Sequence, residues 1–265
     1  MRRVGTAVIV LGLCTGLLLL SVPAVRNADS LVLKVAVNWL VTLVSAFGVL
    51  AYRFYRDPER DAPPAPGLVV SPADGEVVYV RQSQSGTLPV STKNGHPYRL
   101  QELTRTRLET DDAIVIGIGM SFLDVHVNRA PIAGRIAKRQ HFPGLFGSLR
   151  RSEMVFRNER LTTIIESDDW QVAVVQIASR LVRQIVSFVE ESQEVRRGQR
   201  IGVIRLGSQV DLVLPYRPDL RVTVKPGDRL TAGQSVVATV EPARVGVSRS
   251  GQWSREASYE NARRH

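Results

Sequence analysis

Arg205-Leu-Gly-Ser-Gln-Val-Asp-Leu-Val-Leu-Pro215 places Val210, Leu212 and Leu214 at every second position, with Asp211 held between them. A period of two is that of a strand with one face turned to a core. Outward from it the chain keeps one texture, short Val/Ile-rich segments closed by glycine or proline. This predicts strands at 76–81, 113–118, 161–166, 171–178, 181–189, 200–205, 209–214, 220–224 and 235–240. No long amphipathic helical pattern interrupts them, and 121–129 reads as a short helix or turn. The polar stretch 82–112, with Asn94-Gly95-His96-Pro97, reads as an insertion or hairpin loop. The expected class is mainly β (α+β). Val195-Arg-Arg-Gly-Gln-Arg-Ile-Gly202 is echoed by Val224-Lys-Pro-Gly-Asp-Arg-Leu-Thr-Ala-Gly-Gln234, a recurrence typical of barrel-sandwich domains of the lipoyl and biotinyl type. Those carriers need a lysine at a hairpin tip. The four lysines here, Lys34, Lys93, Lys138 and Lys225, have no such context, so the echo speaks to fold and not to a carrier role.

The N-terminal part has another character. Val4 to Val25 carries no charge, and Leu31 to Tyr52 is broken only by Lys34. About 20 apolar residues cross a hydrocarbon core of ~30 Å, so residues 1–52 are expected to form a two-helix transmembrane hairpin. Arg2 and Arg3 before it and Arg53, Arg56 and Arg60 after it outnumber Arg26 in the connection, which puts both ends and the β domain in the cytoplasm, at the cell (inner) membrane. A signal peptide ending near Val22-Pro-Ala24 is the competing reading of the first run. Residues 53–66, with Asp61-Ala-Pro-Pro-Ala-Pro-Gly67, read as a stiff linker holding the domain just off the membrane. The domain proper is expected over 67–241, and 242–265 has the composition of a disordered basic tail.

Net charge is +10, of which +7 remains after residues 1–52 (four basic, one acidic) are set aside. Such a balance suits anionic phospholipid. Nucleic acid is not expected as a partner, because no recognition module or stacking-aromatic motif accompanies the charge. One cysteine, Cys14, excludes a disulfide framework, and the four scattered histidines give no metal-ligand spacing.

Four segments carry a resemblance. They are Leu206-Gly207-Ser208 with its strand, Phe54-Tyr-Arg-Asp-Pro-Glu-Arg60, Ser71-Pro-Ala-Asp-Gly-Glu-Val77, and Met120-Ser-Phe-Leu-Asp-Val-His-Val-Asn-Arg-Ala-Pro131, with weaker matches at Asn158-Glu-Arg160 and Gln176-Ile-Ala178. In this order they resemble the pyruvoyl-dependent phosphatidylserine decarboxylases, of the short membrane-anchored type, over roughly residues 50 to 240. A second Gly-Ser pair, Gly147-Ser148, lacks the flanking strand.

The resemblance implies that Ser208 attacks the Gly207 carbonyl, that the chain parts between 207 and 208, and that residue 208 becomes a covalent pyruvoyl cofactor. It further implies decarboxylation of phosphatidylserine to phosphatidylethanolamine through a Schiff base, by two fragments held as a heterodimer. Such chemistry needs an electron sink no ordinary side chain supplies, and neither a Schiff-base lysine nor a phosphate cradle for pyridoxal phosphate is evident. A serine needs a base. His126 is the candidate, with Asp74 to orient it, although a core histidine and a backbone-bonding turn aspartate are the plain alternatives. Longer bacterial members carry a second histidine where this chain has Arg129. That residue is a candidate for binding a substrate carboxylate or phosphate, or for a structural ion pair with Asp124 or a neighbouring acid. His141-Phe-Pro-Gly-Leu-Phe-Gly147 suits a mobile loop over a lipid site, making Phe142 and Gly144 candidate substrate contacts. The alternatives are an archaetidylserine substrate, a soluble amino acid, or a non-catalytic membrane-tethered binding module.

Overall fold

The protein, represented by a computed structural model, is described at residues 12, 14, 16, 31–83, 87–88, 98–99, 104, 112–145, 157–167, 170–179, 185–204 and 208–241. Helix α1 (Leu31–Tyr55) has 25 residues and a mean hydropathy of 1.8 over its most apolar window. At 1.5 Å per residue it reaches ~37 Å, enough to cross a membrane. Its one buried side chain is Phe54, so the rest of its surface faces away from the β domain. Thr42 returns its hydroxyl to the Asn38 carbonyl at 2.8 Å, which satisfies it within an apolar helix. In the first apolar run Gly12, Cys14 and Gly16 are helical. A Cβ on Gly12 would lie 3.0 Å from Thr42, and one on Gly16 would lie 2.8 Å from Asn38. One full apolar helix is therefore described, and most of the run expected as its partner lies outside the described residues.

The strands are β1 (Leu68–Val70), β2 (Gly75–Gln82), β3 (Thr87–Leu88), β4 (Tyr98–Arg99), β5 (Ala113–Met120), β6 (Val127–Arg129), β7 (Gly134–Phe142) and β8 (Arg160–Ser167). After them come β9 (Trp170–Ile177), β10 (Ile185–Ser187), β11 (Glu194–Val195), β12 (Arg200–Ile204), β13 (Ser208–Pro215), β14 (Leu220–Val222), β15 (Arg229–Leu230) and β16 (Val236–Val240). Eight form one antiparallel sheet in the order β11-β7-β8-β9-β13-β5-β2-β15. Register shifts in β2 and β7 mark bulges, which bend a strand and increase its twist. The three-stranded sheets β1-β16-β14 and β10-β12-β6 close over the large sheet, and β3 pairs with β4. The main core draws Val210, Leu212 and Leu214 from β13, Ile201 and Ile204 from β12, and Val69, Val237 and Ala238 from the β1-β16 pair.

The mainly β expectation is met. A second apolar cluster, with Val115, Ile164, Val175 and Val213, lies on the other face of the large sheet. Two residues from the polar stretch 82–112 reach that side of the chain. Buried Thr104 accepts the Thr162 hydroxyl at 2.7 Å on its carbonyl, and Ser83 Oγ accepts the Ala113 N–H at 2.7 Å.

The sequence echo is a repeated turn. In Arg196–Gln199 and Lys225–Asp228 the fourth N–H donates to the first carbonyl, at 3.0 and 3.2 Å. The fourth side chain accepts from the first N–H, at 3.0 and 2.9 Å. Glu190–Gln193 repeats both bonds, at 3.3 and 3.0 Å. The third residue takes a positive φ, +80° at Gly198 and +94° at Gly227, where glycine avoids Cβ strain.

The linker is not a free spacer. Arg197 donates to the carbonyls of Pro63 and Leu68, Arg200 pairs with Asp57 at 2.6 Å and Glu59 at 2.8 Å, and a Cβ on Gly198 would lie 2.9 Å from Ala62. Proline lacks an N–H but keeps its carbonyl, and guanidinium forks satisfy such orphan oxygens. Residues 57–63 are thereby strapped to the β domain.

Candidate functional site

Two backbone pairings define the surroundings of His126. Strand β12 pairs with β6 at Val203–Val127, and the Ile204 N–H donates to the His126 carbonyl at 3.1 Å. A few residues later Ser208 stands opposite Met120 at the end of the β13–β5 ladder. Gly207 lies outside the described residues, and of Ser208 only the backbone is described.

His126 is buried, 2% exposed. Its ring packs on Phe54 with centroids 4.7 Å apart, and Phe54 stacks on Phe122 at 5.0 Å. The end of α1 thus forms one wall of the histidine's pocket. Burial pushes the imidazole below its ordinary pKa; Asp124 and Asp74 pull it back, and Arg56 acts with burial. A buried imidazole of this kind is neutral at pH 7, the form a base needs. Asp124 shapes the approach. It accepts the Ser121 N–H at 2.7 Å and pairs with Arg229 at 3.0 Å, while Arg56 donates to the Leu123 carbonyl at 3.1 Å.

Asp74 is buried beneath this turn. Arg60 grips it with both nitrogens, at 2.5 and 2.9 Å, and the N–H groups of Ala232 and Val125 donate to it at 2.8 and 3.4 Å. The bonds to backbone are those of its plain alternative. Asp74 also holds the residue directly before His126, and its charge acts on that ring.

Arg129 is 3% exposed. Its nitrogens donate to the Gly198 and Pro58 carbonyls, both at 2.9 Å, and contact Asp57 at 3.5 Å. Asp57 is its neighbouring acid, whereas Asp124 belongs to Arg229. Phe142 is half-buried at the end of β7, opposite Arg160. Gly144 is exposed on one side, yet a Cβ on it would meet the Asn158–Glu159 backbone at 2.5 Å. His141 Nε2 lies 2.7 Å from Glu159 Oε1. The glycine therefore seats this loop on the 157–159 segment. The weaker motifs converge as well: Gln176 donates to Asn128 at 2.8 Å, and Asn158 donates to the Ala178 carbonyl at 2.8 Å.

Sequence reasoning missed a buried cluster next to Ser208 on β13. Tyr79 donates to Asp211 at 2.8 Å, and Gln209, next to Ser208, donates to Asp211 at 2.7 Å. Burial pushes the Asp211 carboxyl up to about 6, from an ordinary 3.8, against the lowering effect of those bonds. At ~1.4 kcal/mol per pKa unit this is roughly 3 kcal/mol. The native state then binds the extra proton between pH ~4 and ~6, so this contribution to stability is greatest below that window and declines as pH rises through it. Asp211→Asn removes the charge, and the Gln209 amide can turn to accept from it. The variant is expected to gain roughly 2 kcal/mol relative to wild type between pH 4.5 and 7, measured as the difference in Tm at the two pH values. A constant gap across that range would exclude the buried charge.

The model of the family described as phosphatidylserine decarboxylase matches residues 47–238. A phosphatidylserine decarboxylase proenzyme of Symbiobacterium thermophilum is 36% identical over 78% of this chain and 86% of its own. The Azorhizobium caulinodans protein of the same name is 38% identical over 77% of this chain and 82% of its own. A Methanothermobacter thermautotrophicus protein carrying an archaetidylserine decarboxylase proenzyme name is 39% identical over 76% and 86%.

Proposed function

The chain belongs to the phosphatidylserine decarboxylase family, and from that membership we propose that it removes the headgroup carboxylate of phosphatidylserine, releasing carbon dioxide and leaving phosphatidylethanolamine. The observation that supports the reading is the pair of backbone pairings, Ile204 to His126 and Ser208 to Met120, that tie described residues on either side of Gly207 to the segment carrying His126.

In the proposed maturation His126 takes the Ser208 hydroxyl proton and Oγ adds to the Gly207 carbonyl, exchanging the peptide bond for an ester. Loss of the residue 208 α-proton expels the Gly207 carboxylate and leaves a dehydroalanine. Hydrolysis of its imine form releases ammonia and leaves a pyruvoyl group. Holding hydroxyl and carbonyl together removes an entropic barrier worth ~7–11 kcal/mol in well-aligned systems. The fold suits a new terminus at this point. Strand β13 stays paired with β5 over eight residues and with β9 over five, and β12 stays paired with β6 and β10. Both fragments are therefore retained as a heterodimer. The group supplies a ketone conjugated to an amide, which takes up the electron pair left as carbon dioxide departs. His126 then holds or returns the proton at the substrate carbon, and Phe54 with Phe122 keeps water from its ring.

The N-terminal run completes a two-helix hairpin in this reading. Gly12 and Gly16 meet Thr42 and Asn38 in reversed order at matching four-residue spacing, as antiparallel helices packed through small residues do. The bilayer then delivers substrate directly to a site walled by the end of α1, with the domain cytoplasmic. The Methanothermobacter relative favours archaetidylserine as the second reading, since the headgroup is the reacting part.

Denaturing mass measurement of purified protein incubated with phosphatidylserine tests the proposal. Two fragments meeting at 207/208, residue 208 without its amine, and phosphatidylethanolamine as product are expected. An intact, inactive chain would leave the binding-module alternative.

A further inference from the structure

A basic cavity lies on the domain side of the strap. It encloses about 480 Å³ and is lined by Arg60, Arg129, Arg196, Arg197 and Arg200, with Glu59 and Asp61 as its acidic side chains. Neighbouring carboxylates neutralise only part of that charge. Arg60 is committed to Asp74, and Arg200 to Asp57 and Glu59. Arg197 is held by two main-chain carbonyls, and Arg129 chiefly by two more. Carbonyls orient a guanidinium without cancelling its charge. The Arg129 side chain is 4% exposed, and its Nε, like that of Arg197, is buried without a hydrogen-bond partner. Arg196, on the same turn, is exposed. Burial first, and then the fields of Arg200 and Arg60, hold the Arg129 pKa below its ordinary value, while Asp57 and Glu59 act against them.

We infer that this cavity, whose lining does not include His126, is a phosphate-binding site in which the Arg129, Arg196 and Arg197 guanidiniums receive a phosphate mono- or diester. Fixed guanidiniums match the planar, bidentate demand of phosphate oxygens. The source is indicated by the chain path. Glu59 lies four residues beyond the end of α1 at Tyr55, no more than ~14 Å of extended chain. The cavity therefore opens within reach of the lipid headgroup layer, and an anion seated there would fasten the strap that follows α1, whose Phe54 packs on His126. The inference does not depend on decarboxylation.

Thermal unfolding of the full-length protein in phosphatidylcholine nanodiscs tests it without turnover. Sodium phosphate is compared with sodium chloride at equal ionic strength, and separately with discs containing phosphatidylglycerol. Occupancy is expected to raise Tm by roughly 2–4 °C. Arg196→Gln and Arg196→Glu, at an exposed position, should abolish most of the rise. A rise with free phosphate in neutral discs means that a soluble phosphate suffices; a rise with phosphatidylglycerol alone assigns the site to a lipid headgroup. No rise in either arm, or one kept in full by both variants as a general salting effect, overturns the site.

Discussion

Ser208→Ala is expected to yield one uncut chain with no measurable lipid decarboxylation. The change removes a single oxygen, at the first residue of a strand whose ladder runs unbroken from Ser208–Met120 to Pro215–Ala113. The fold should therefore survive with its stability nearly unchanged. Activity should not, because without the oxygen no ester forms, no ketone is made, and no other group in the chain can accept electrons from the substrate carbon. The expected loss is to the uncatalysed rate, at least ~10⁶-fold if the enzyme accelerates its reaction as enzymes ordinarily do. Ser148→Ala is the matched control at the other Gly-Ser pair and should be cut and active. Turnover by the uncut Ser208 variant would sink the cofactor assignment, whereas failure of the Ser148 variant to be cut would move the junction to 147/148.

How much of this was legible depended on how one-sided each strand's environment is. Strands β5, β8, β9 and β13 lie inside the large sheet, and their apolar residues announce them to within a residue or two. Strand β7 is as long but went unrecognised. It borders a two-residue edge strand and buries only Ile136, so Gly-Arg-Ile-Ala-Lys-Arg-Gln-His-Phe142 carries no clear period. Strand β6 was hidden in a stretch read as helix or turn, because its three buried residues are Val, Asn and Arg. At the site, motif order pointed to His126 and Asp74, but not to what surrounds them. Arg56 and Arg60 read in the sequence as topology charges. Because α1 ends at Tyr55, they instead fall on a segment that turns back to Leu123 and Asp74. Contacts between residues 14 and 67 positions apart leave no local pattern to read.

In the proposed mechanism that return path sets the end of the apolar helix α1 against the general base, and His126 is where the coupling can be measured. Removal of the imidazole by His126→Ala should slow self-cleavage and any turnover by the matured fraction ~10²–10⁴-fold, the usual general-base contribution. In wild type the cleavage rate should be flat above neutrality and fall on acidification through a pKa below the ordinary 6.5, because burial against Phe54 disfavours the charged ring. Phe54→Ala admits water to that ring, so the half-maximal pH should move up toward 6.5, whereas Phe54→Leu, which keeps the site dry, should hold the wild-type profile. Stability carries the same sign. With the folded pKa depressed, the unfolded state binds the proton first, so stability is full above the unfolded value and falls as pH drops below ~6.5. A histidine that merely fills the core would also lose stability on acidification, but its removal would leave the cleavage rate of the folded chain unchanged. An unshifted cleavage profile in Phe54→Ala would instead show that the end of α1 does not control the base.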